Sequence, residues 1–154
     1  MSDGIEIREA VHDDLAAIVR LLADDPLGAT RERYEQPLPQ AYVDAFEAIR
    51  SQGGNHLLVA TIDGGVVGCL QLTIVQTFSR LGAPRGLIEG VRVDAAVRGR
   101  RLGERLIHDA VERARAAGCG LVQLTSDKSR VDAQRFYERL GFVASHVGMK
   151  LALD

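Results

Sequence analysis

The sequence predicts an α/β domain of the α+β kind, with one mixed, mostly antiparallel, twisted sheet and helices on both of its faces. Two β-branched runs, His56 to Ile62 and Val66 to Ile74, are joined by Asp63-Gly64-Gly65, whose glycines permit the positive φ of a tight antiparallel hairpin. Strand and helix patterns alternate only in the second half of the chain. A length of 154 residues fits one domain, so we expect a single domain over residues 1–154.

The first half begins with a strand that holds Ile5 and Ile7, and apolar residues at helical spacing follow it. They predict a first helix that ends near Leu22 and a second helix around 42–49, with a polar loop over 27–39 between them. After the hairpin, the predicted order is a strand at Leu87–Val93, a helix that follows the turn Arg98–Gly103, a strand at Leu121–Thr125, a helix at Val131–Leu140 and a closing strand at Phe142–Leu151.

Composition and charge narrow the classes of function. A net charge of -2 argues against general attraction to nucleic acid or to an anionic membrane, so we expect neither as a partner. The two cysteines, Cys69 and Cys119, form no disulfide framework, and the first residues carry acid where a signal peptide carries base, which predicts a cytoplasmic protein. The four histidines show no ligand spacing with either cysteine, so no metal site is expected.

The segment from Val91 to Gly103 places a strand end, a glycine-bearing bend and a helix start in succession. The first N–H groups of a helix lack partners within it, and the helix dipole is positive there, so such a start binds anions. The arginines at 98, 100 and 101 add positive charge. The chain has neither the Gly-Lys-Ser/Thr of a P-loop nor a three-glycine dinucleotide fingerprint, so a nucleoside triphosphate is not expected. The alternative is a basic helix start whose glycines only cap and turn.

Two blocks of sequence resemble those of a known family. RGRRLG at 98–103, after VRVD at 91–94, resembles the acyl-CoA signature of the GNAT superfamily of N-acetyltransferases. Downstream, DAQRFYERLGF at 132–142 resembles the later helix of that superfamily and the strand entry after it. The resemblance implies a GNAT-like fold with splayed fourth and fifth strands, and acetyl-CoA as the co-substrate.

The resemblance also implies how acetyl-CoA is held. The pantetheine arm is expected between the splayed strands, on the backbone of Val91–Val93, and the pyrophosphate on the backbone of Gly99–Glu104. The fourth position of the signature is usually glycine and is Arg101 here, which still offers its N–H if its backbone is helical. Arg130 stands where many relatives carry an asparagine, and is expected to reach a coenzyme A phosphate instead. The implied cofactor-binding residues are Val91, Arg92, Val93, Arg98, Gly99, Arg100, Arg101, Leu102, Gly103, Glu104, Arg130 and Tyr137.

The implied reaction transfers an acetyl group to a primary amine by direct attack in a ternary complex. An alkyl amine has a pKa of about 10.4 and is mostly an ammonium ion at neutral pH, so a base is needed. An acid that protonates the departing thiolate speeds the step. Tyr137 matches the tyrosine that serves as this acid in the superfamily. The alternative is that Tyr137 only packs, because it lies on the apolar stripe of its helix.

The base is predicted to be Glu89, acting through water. Alternation along the strand places it on the face of Val91 and Val93, and members of the superfamily often carry a glutamate on this strand. The alternative is a solvated carboxylate, or one paired with Arg92 or with the arginine at 85. Asp127, in the loop after the predicted fifth strand, is the second candidate, although loop aspartates also serve as caps and turn formers.

The acceptor amine is less closely defined. The segments that choose the acceptor in this superfamily carry charges of both signs, which favours an amino-acid-like small molecule. These charges are Asp24, Asp25, Glu32 and Glu35 against Arg31, Arg33, Arg80 and Arg85. A protein or peptide amine is the alternative substrate, and a non-catalytic acyl-CoA-binding sensor is the alternative to an enzyme. A nucleic-acid docking helix over Arg98–Arg115 is disfavoured because interleaved acids nearly offset its arginines. A homodimer is expected by analogy.

Overall fold

Five strands form one sheet in the order β1-β2-β3-β4-β5 in a computed structural model that describes residues 3–154. The strands are β1 Ile5–Glu9, β2 Asn55–Ile62, β3 Gly65–Val75, β4 Arg85–Val93 and β5 Leu121–Leu124. Neighbours from β1 to β4 are antiparallel, and β4 is parallel to β5. The predicted mixed, mostly antiparallel sheet is therefore confirmed. Met1 and Ser2, where the prediction about a signal peptide begins, lie outside the described residues.

The predicted hairpin between β2 and β3 is confirmed. Ile62 pairs with Gly65, which leaves Asp63 and Gly64 as a two-residue loop. Both loop residues have positive φ, 48° and 88°, as a tight turn between right-twisted strands requires.

Within residues 3–154, six α-helical segments and two 3-10 turns, His12–Asp14 and Ala95–Val97, accompany the sheet. The α-helical segments are α1 Leu15–Ala23, α2 Gly28–Arg31, α3 Gln40–Ser51, α4 Ser79–Gly82, α5 Leu102–Ala116 and α6 Val131–Arg139. The short α2 corrects the prediction that residues 27–39 form a polar loop. Asp25 starts this turn, because its carboxylate accepts the N–H of Gly28 and its carbonyl accepts the N–H of Ala29 at 2.8 Å. None of the helices within residues 3–154 combines the length and the apolar character that a membrane crossing needs.

Helices cover both faces of the sheet, as predicted. On one face, buried side chains of α1 and Phe46 of α3 pack in a cluster with Cys69 of β3. Gly68, the neighbour of Cys69, lies against the opposite face of the sheet. A Cβ at this position would lie 3.0 Å from the Leu106 side chain of α5. Successive residues of β3 therefore face different helices, and the absence of a side chain at 68 lets α5 lie close to the sheet.

The chain divides into two compact units, Met1–Gln123 and Leu124–Asp154. In the second unit, α6 ends at Arg139. Gly141, two residues later, adopts a φ of 98°, and Phe142 donates its N–H to the carbonyl of Tyr137 at 3.1 Å. The predicted closing strand Phe142–Leu151 is wrong for this structure, because residues 142–154 belong to no strand or helix. A strand needs a neighbour for its backbone N–H and C=O groups, and the described chain supplies none to this segment.

Candidate functional site

β4 carries a β-bulge near its centre. Cys69 of β3 pairs with Arg92, but Gln71 pairs with Glu89, so two residues of β4, Gly90 and Val91, oppose one residue of β3. Gly90 has a φ of 64°, which glycine adopts without steric cost. The bulge shifts the alternation of side chains along β4 by one residue.

This shift corrects the predicted orientation of Glu89. Residues directly opposite in an antiparallel pair lie on the same face of the sheet. Glu89 opposes Gln71, whereas Val93 opposes Gly68, and these two partners are three positions apart on β3. Glu89 and Val93 therefore lie on different faces, and Glu89 shares the face of α1 with Arg92. The predicted common face of Glu89, Val91 and Val93 is wrong because the alternation does not continue through a bulge.

β4 and β5 meet at their N-terminal ends. Gly120 donates its N–H to the carbonyl of Pro84 at 2.9 Å, and the Arg85 guanidinium donates to the Gln123 side chain at 2.9 Å. From this start β4 runs for nine residues and β5 for four. At about 3.3 Å per residue, β5 ends alongside the middle of β4. The edge of β4 that follows the bulge is thus left without a β5 neighbour, as a splay of these strands requires.

Asp94 organises the turn that follows β4. Its N–H donates to the carbonyl of Val67 at 2.8 Å, and its carboxylate accepts the N–H of Ala96 at 3.0 Å. Arg20 of α1 approaches the same carboxylate at 3.3 Å. The Ala96 N–H and the Arg20 guanidinium hold the pKa of the Asp94 carboxyl below its ordinary value. No role was predicted for Asp94, although an aspartate directly after a strand is a common start for such a turn.

The backbone from Gly99 to Glu104 presents a run of N–H groups. The first bond of α5 joins the N–H of Arg105 to the carbonyl of Arg101 at 3.0 Å, and within residues 3–154 none of the six N–H groups before it donates to a protein acceptor. The side chains of the three predicted arginines, at 98, 100 and 101, are exposed. An anion such as a pyrophosphate suits this place. It would meet these N–H groups, the positive end of a fifteen-residue helix and the nearby arginines.

Arg101 does not have the helical backbone on which its predicted role depended. Its φ of 59° and ψ of 27° are left-handed, and it is the N-cap of α5. An L-residue with a Cβ pays a steric cost in this region, whereas glycine does not. This explains in physical terms why a glycine is the usual residue at that point of the signature.

Replacing Arg101 by glycine is expected to raise the free energy of unfolding by about 0.5 to 1 kcal/mol, because removing the steric cost of the left-handed backbone outweighs the entropy that glycine adds to the unfolded chain. Binding of acetyl-CoA should be kept or tightened. Urea unfolding and calorimetric titration measure the two quantities. Arg100→Gly removes the same charge one residue earlier and should give no gain in stability. A collapse of binding in Arg101→Gly would mean that the charge of this arginine, rather than the backbone, holds the ligand.

Arg92 turns its side chain toward the loop after α1. Its Nε lies 3.1 Å from Asp25 Oδ2, an ion pair without hydrogen-bond alignment, and its Nη1 donates to the carbonyl of Val91 at 2.9 Å. Arg85 donates to Gln123, so neither arginine takes the pairing with Glu89 that was the alternative for that carboxylate. Glu89 is exposed and makes no side-chain hydrogen bond or ion pair with residues 3–154.

The remaining predicted site residues belong to the second unit. The Tyr137 ring is half-buried and makes edge contacts with Phe136 and Phe142, at centroid distances of 5.2 Å and 5.8 Å. Asp127 accepts hydrogen bonds from the N–H and the hydroxyl of Ser129, at 2.9 Å and 2.6 Å, so it has the turn-forming role that was its alternative. Arg130 immediately precedes α6 and caps it with its carbonyl, which accepts the N–H of Gln134 at 3.2 Å.

Cys69 lies beside the bulge, and its thiol points at the Gly90 carbonyl at 3.6 Å. Burial raises the pKa of this thiol to about 12. A thiol in this state is a poor nucleophile, because the thiolate is the reactive form. An acyl-enzyme on Cys69 is therefore disfavoured. Within residues 3–154, no group of three or more histidine, cysteine or acidic side chains is arranged to hold a metal ion.

A thiol reagent such as Ellman's reagent is expected to modify Cys119 of the folded protein at pH 8 and to leave Cys69 unmodified. Cys119 is half-exposed, whereas Cys69 has 1% of its surface exposed. Burial also raises the pKa of the Cys119 thiol, so its reaction should be slower than that of a free thiol. Peptide mapping after a timed reaction identifies the modified residue, and urea should release the second thiol. Rapid modification of Cys69 in the native protein would contradict its placement in the core.

Comparison with known proteins gives consistent matches. The model of the Acetyltransferase (GNAT) family matches residues 16–142. Glucosamine 6-phosphate N-acetyltransferase 1 of Oryza sativa subsp. japonica is 34% identical over 115 residues, which are 73% of this chain and 68% of the rice protein. Aminoalkylphosphonate N-acetyltransferase of Salmonella typhimurium strain LT2 is 32% identical over 148 residues, which are 96% of this chain and 91% of the bacterial protein.

Among solved structures, a Bacillus halodurans C-125 protein described as a transcriptional regulator is 50% identical to this chain. It superposes with a TM-score of 0.94 over 97% of this chain and 99% of its own.

Proposed function

This chain is an N-acetyltransferase of the acetyltransferase (GNAT) family, and we propose that it acetylates the primary amine of a small molecule that also carries an anionic group. The observation that carries the proposal is the combination of a β4 edge that β5 does not reach after the bulge with six N–H groups at the start of α5 that have no protein acceptor within residues 3–154. A bound acyl-CoA needs both features, one for its amide-bearing pantetheine arm and one for its pyrophosphate.

Acetyl-CoA suits the residues present. The run from Gly99 to Glu104 can donate to pyrophosphate oxygens, and the exposed arginines beside it can balance their charge. In support, the backbone at Arg101 is left-handed where the chain enters α5, and the N–H groups on both sides of it have no acceptor among residues 3–154. The edge of β4 at Val91–Val93, which β5 does not reach, offers backbone donors and acceptors of the kind that pair with an amide chain.

The proposed mechanism is direct attack of the amine on the thioester, with proton transfers at two side chains. Glu89 removes a proton from the acceptor ammonium through water. In support, its carboxylate is exposed beside the bulge and is not held by Arg92 or Arg85. Tyr137 protonates the departing thiolate through its phenol. In support, edge contacts with two phenylalanines restrict the orientation of its ring. Asp127 is the weaker candidate for the base, because its carboxylate already forms the Ser129 turn.

The acceptor proposal rests on the relatives more than on local charge. Several side chains that were predicted to attract substrate are paired within the protein: Arg33 with Glu35, Glu32 with Tyr42, and Asp25 with Arg92. The two relatives act, by their names, on glucosamine 6-phosphate and on aminoalkylphosphonates. Both acceptors join an amine to a phosphorus-centred anion. The predicted amino-acid-like acceptor shares the amine and the anion but carries a carboxylate instead.

An acceptor screen tests this proposal. Release of free CoA thiol from acetyl-CoA is followed with glucosamine 6-phosphate and aminoalkylphosphonates, and with glucosamine and simple alkylamines as matched acceptors without the anion. Amino acids, polyamines and a peptide complete the panel, and mass spectrometry identifies the product. The anionic amines are expected to have a kcat/KM at least about 10-fold above their matched controls, because each charge-assisted contact contributes more than about 1.4 kcal/mol.

Two outcomes of the screen would contradict the proposal. Equal rates with and without the anion would remove the anionic group from the acceptor, and a strong preference for the peptide would favour a protein substrate. Binding of acetyl-CoA with no thiol release on any acceptor would favour the sensor module instead. The regulator description of the Bacillus protein is compatible with that last outcome.

A further inference from the structure

Arg85 begins β4 and lies on the same face of the sheet as Glu89. A Cβ at Gly86 would lie 3.1 Å from the Ala114 side chain, so Gly86 faces α5. Side chains alternate along a strand, which places Arg85, Leu87 and Glu89 on the opposite face. The pairing of these residues with β3 is regular, because the bulge begins only after Glu89. Two oppositely charged side chains therefore lie on one face with a leucine between them.

Arg85 differs from the other half-buried arginines of the first unit. Within residues 3–123, every other half-buried arginine pairs with a carboxylate. These pairs are Arg8–Asp14, Arg20–Asp94, Arg92–Asp25 and Arg113–Asp109. Arg85 bonds only to the neutral side chain of Gln123, and its Nε is buried without a hydrogen-bond partner among the described residues. Partial burial of a charge without a counter-charge is unfavourable, so this position favours an anionic ligand.

Gln123 draws the guanidinium of Arg85 along the sheet toward Glu89. β5 starts level with the start of β4, because Gly120 donates its N–H to the carbonyl of Pro84 at 2.9 Å. The two strands are parallel, so Gln123 lies three residues along from this point and two residues short of Glu89. At about 3.3 Å per residue, roughly 7 Å of sheet separates the two charged groups. This gap is too wide for an ion pair and leaves room for a small molecule between them.

A cavity of about 160 Å³ adjoins Arg85 at the start of β4. Its lining consists of Arg80, Ala83, Pro84, Arg85, Gly120 and Leu121. Two of these residues are arginines and none is acidic. Arg80 reaches the cavity from a turn in which its own φ is 55°, a left-handed conformation that carries a steric cost. Two guanidinium groups without a carboxylate suit a phosphate or phosphonate, whose oxygens accept several charge-assisted hydrogen bonds.

We propose that Arg85, with Arg80 beside it, binds the anionic group of the acceptor while the acceptor amine lies at Glu89. The inference rests on the function proposed above and adds the residues that select the anion. The planar guanidinium offers paired N–H donors that match two oxygens of a phosphorus-centred anion. Leu87, between the two charged residues, offers an apolar surface to the carbon atoms that join amine and anion. The acceptor is then held at both ends on one face of the sheet.

Matched acceptors test the assignment of Arg85. Thiol release gives kcat/KM for 2-aminoethylphosphonate against ethanolamine, and for glucosamine 6-phosphate against glucosamine. Arg85→Gln should lower kcat/KM for the anionic member of each pair roughly 10- to 100-fold, mainly through KM, and leave the neutral member within about twofold. Arg85→Lys keeps the charge without the planar donor pair and should fall between the two. Arg115→Gln neutralises an exposed arginine that pairs with Glu112 on α5 and should keep the full preference.

Arg80→Gln is a second test that does not disturb a half-buried residue. Arg80 is exposed, so circular dichroism should show an unchanged fold, and the preference for the anionic acceptors should fall roughly 3- to 10-fold. Retention of the full preference in Arg80→Gln, or in a folded Arg85→Gln, would overturn this inference. An equal loss for both members of a pair in either variant would also overturn it. An unaltered protein that shows no preference for the anion would instead contradict the proposed function itself.

Discussion

Replacing Tyr137 by phenylalanine is expected to lower kcat roughly 10- to 10⁴-fold, while the Kd for acetyl-CoA stays nearly unchanged. The substitution keeps the ring that contacts Phe136 and Phe142 and removes only the hydroxyl that would protonate the thiolate. Thiol release under saturating acceptor gives kcat, and calorimetric titration gives Kd. The separation of the two quantities distinguishes a proton donor from a residue that packs.

Tyr34→Phe is the matched control for this experiment. It removes the same hydroxyl from a tyrosine that is 47% exposed and precedes α3, and it should change neither kcat nor Kd. If Tyr137→Phe turns over at the rate of the unaltered protein, Tyr137 is not the acid, and the packing alternative holds. If instead Kd rises while kcat is kept, the hydroxyl contributes to binding and not to the chemical step.

Replacing Glu89 by glutamine should lower kcat/KM by roughly 10²- to 10⁴-fold near neutral pH, because the amide cannot accept the proton of the ammonium. The deficit should shrink as the pH rises toward the pKa of the acceptor amine, since more of the acceptor is then already the free base. A pH series of thiol-release rates for the two proteins measures this convergence.

The control for Glu89 is Glu47→Gln, which neutralises an exposed glutamate of α3 that forms a surface ion pair with Arg50. That variant should follow the pH profile of the unaltered protein. A Glu89→Gln enzyme with full activity across the pH range would exclude Glu89 as the base. Asp127→Asn would then be the next variant to compare, although loss of the Ser129 turn complicates its use.

Much of the fold follows from local sequence. Some features depend on only a few neighbouring residues, so a sequence pattern is enough to predict them. These are the Asp63-Gly64 turn, the apolar spacing of α1 and α5, and the glycine after α6. The bulge at Gly90 is different. Its flanking residues still alternate like those of a regular strand, and the extra residue becomes visible only in the register with β3. The orientation of Glu89 was therefore predicted wrongly from a correctly predicted strand.

The candidate site also has a part that could be predicted from the sequence and a part that could not. The strand, turn and helix start at 91–104 were predicted, since their geometry is local. The contacts that stabilise these elements were not predicted, because they join residues far apart in sequence. Arg20 contacts Asp94 across 74 residues, and Asp25 contacts Arg92 from the loop after α1. Arg101 shows a third limit. The sequence reveals an arginine in place of the usual glycine, but only the backbone angles show that the position requires a left-handed residue.

The proposed transfer to an amine requires that acetyl-CoA bind along the β4 edge and the backbone turn before α5. Calorimetric titration of acetyl-CoA into the unaltered protein measures this binding. We expect saturable binding at a single site per chain, a rise in Tm in the presence of acetyl-CoA, and retention of both effects in Arg101→Gly. No binding heat together with an unchanged Tm would show that the protein does not hold acetyl-CoA.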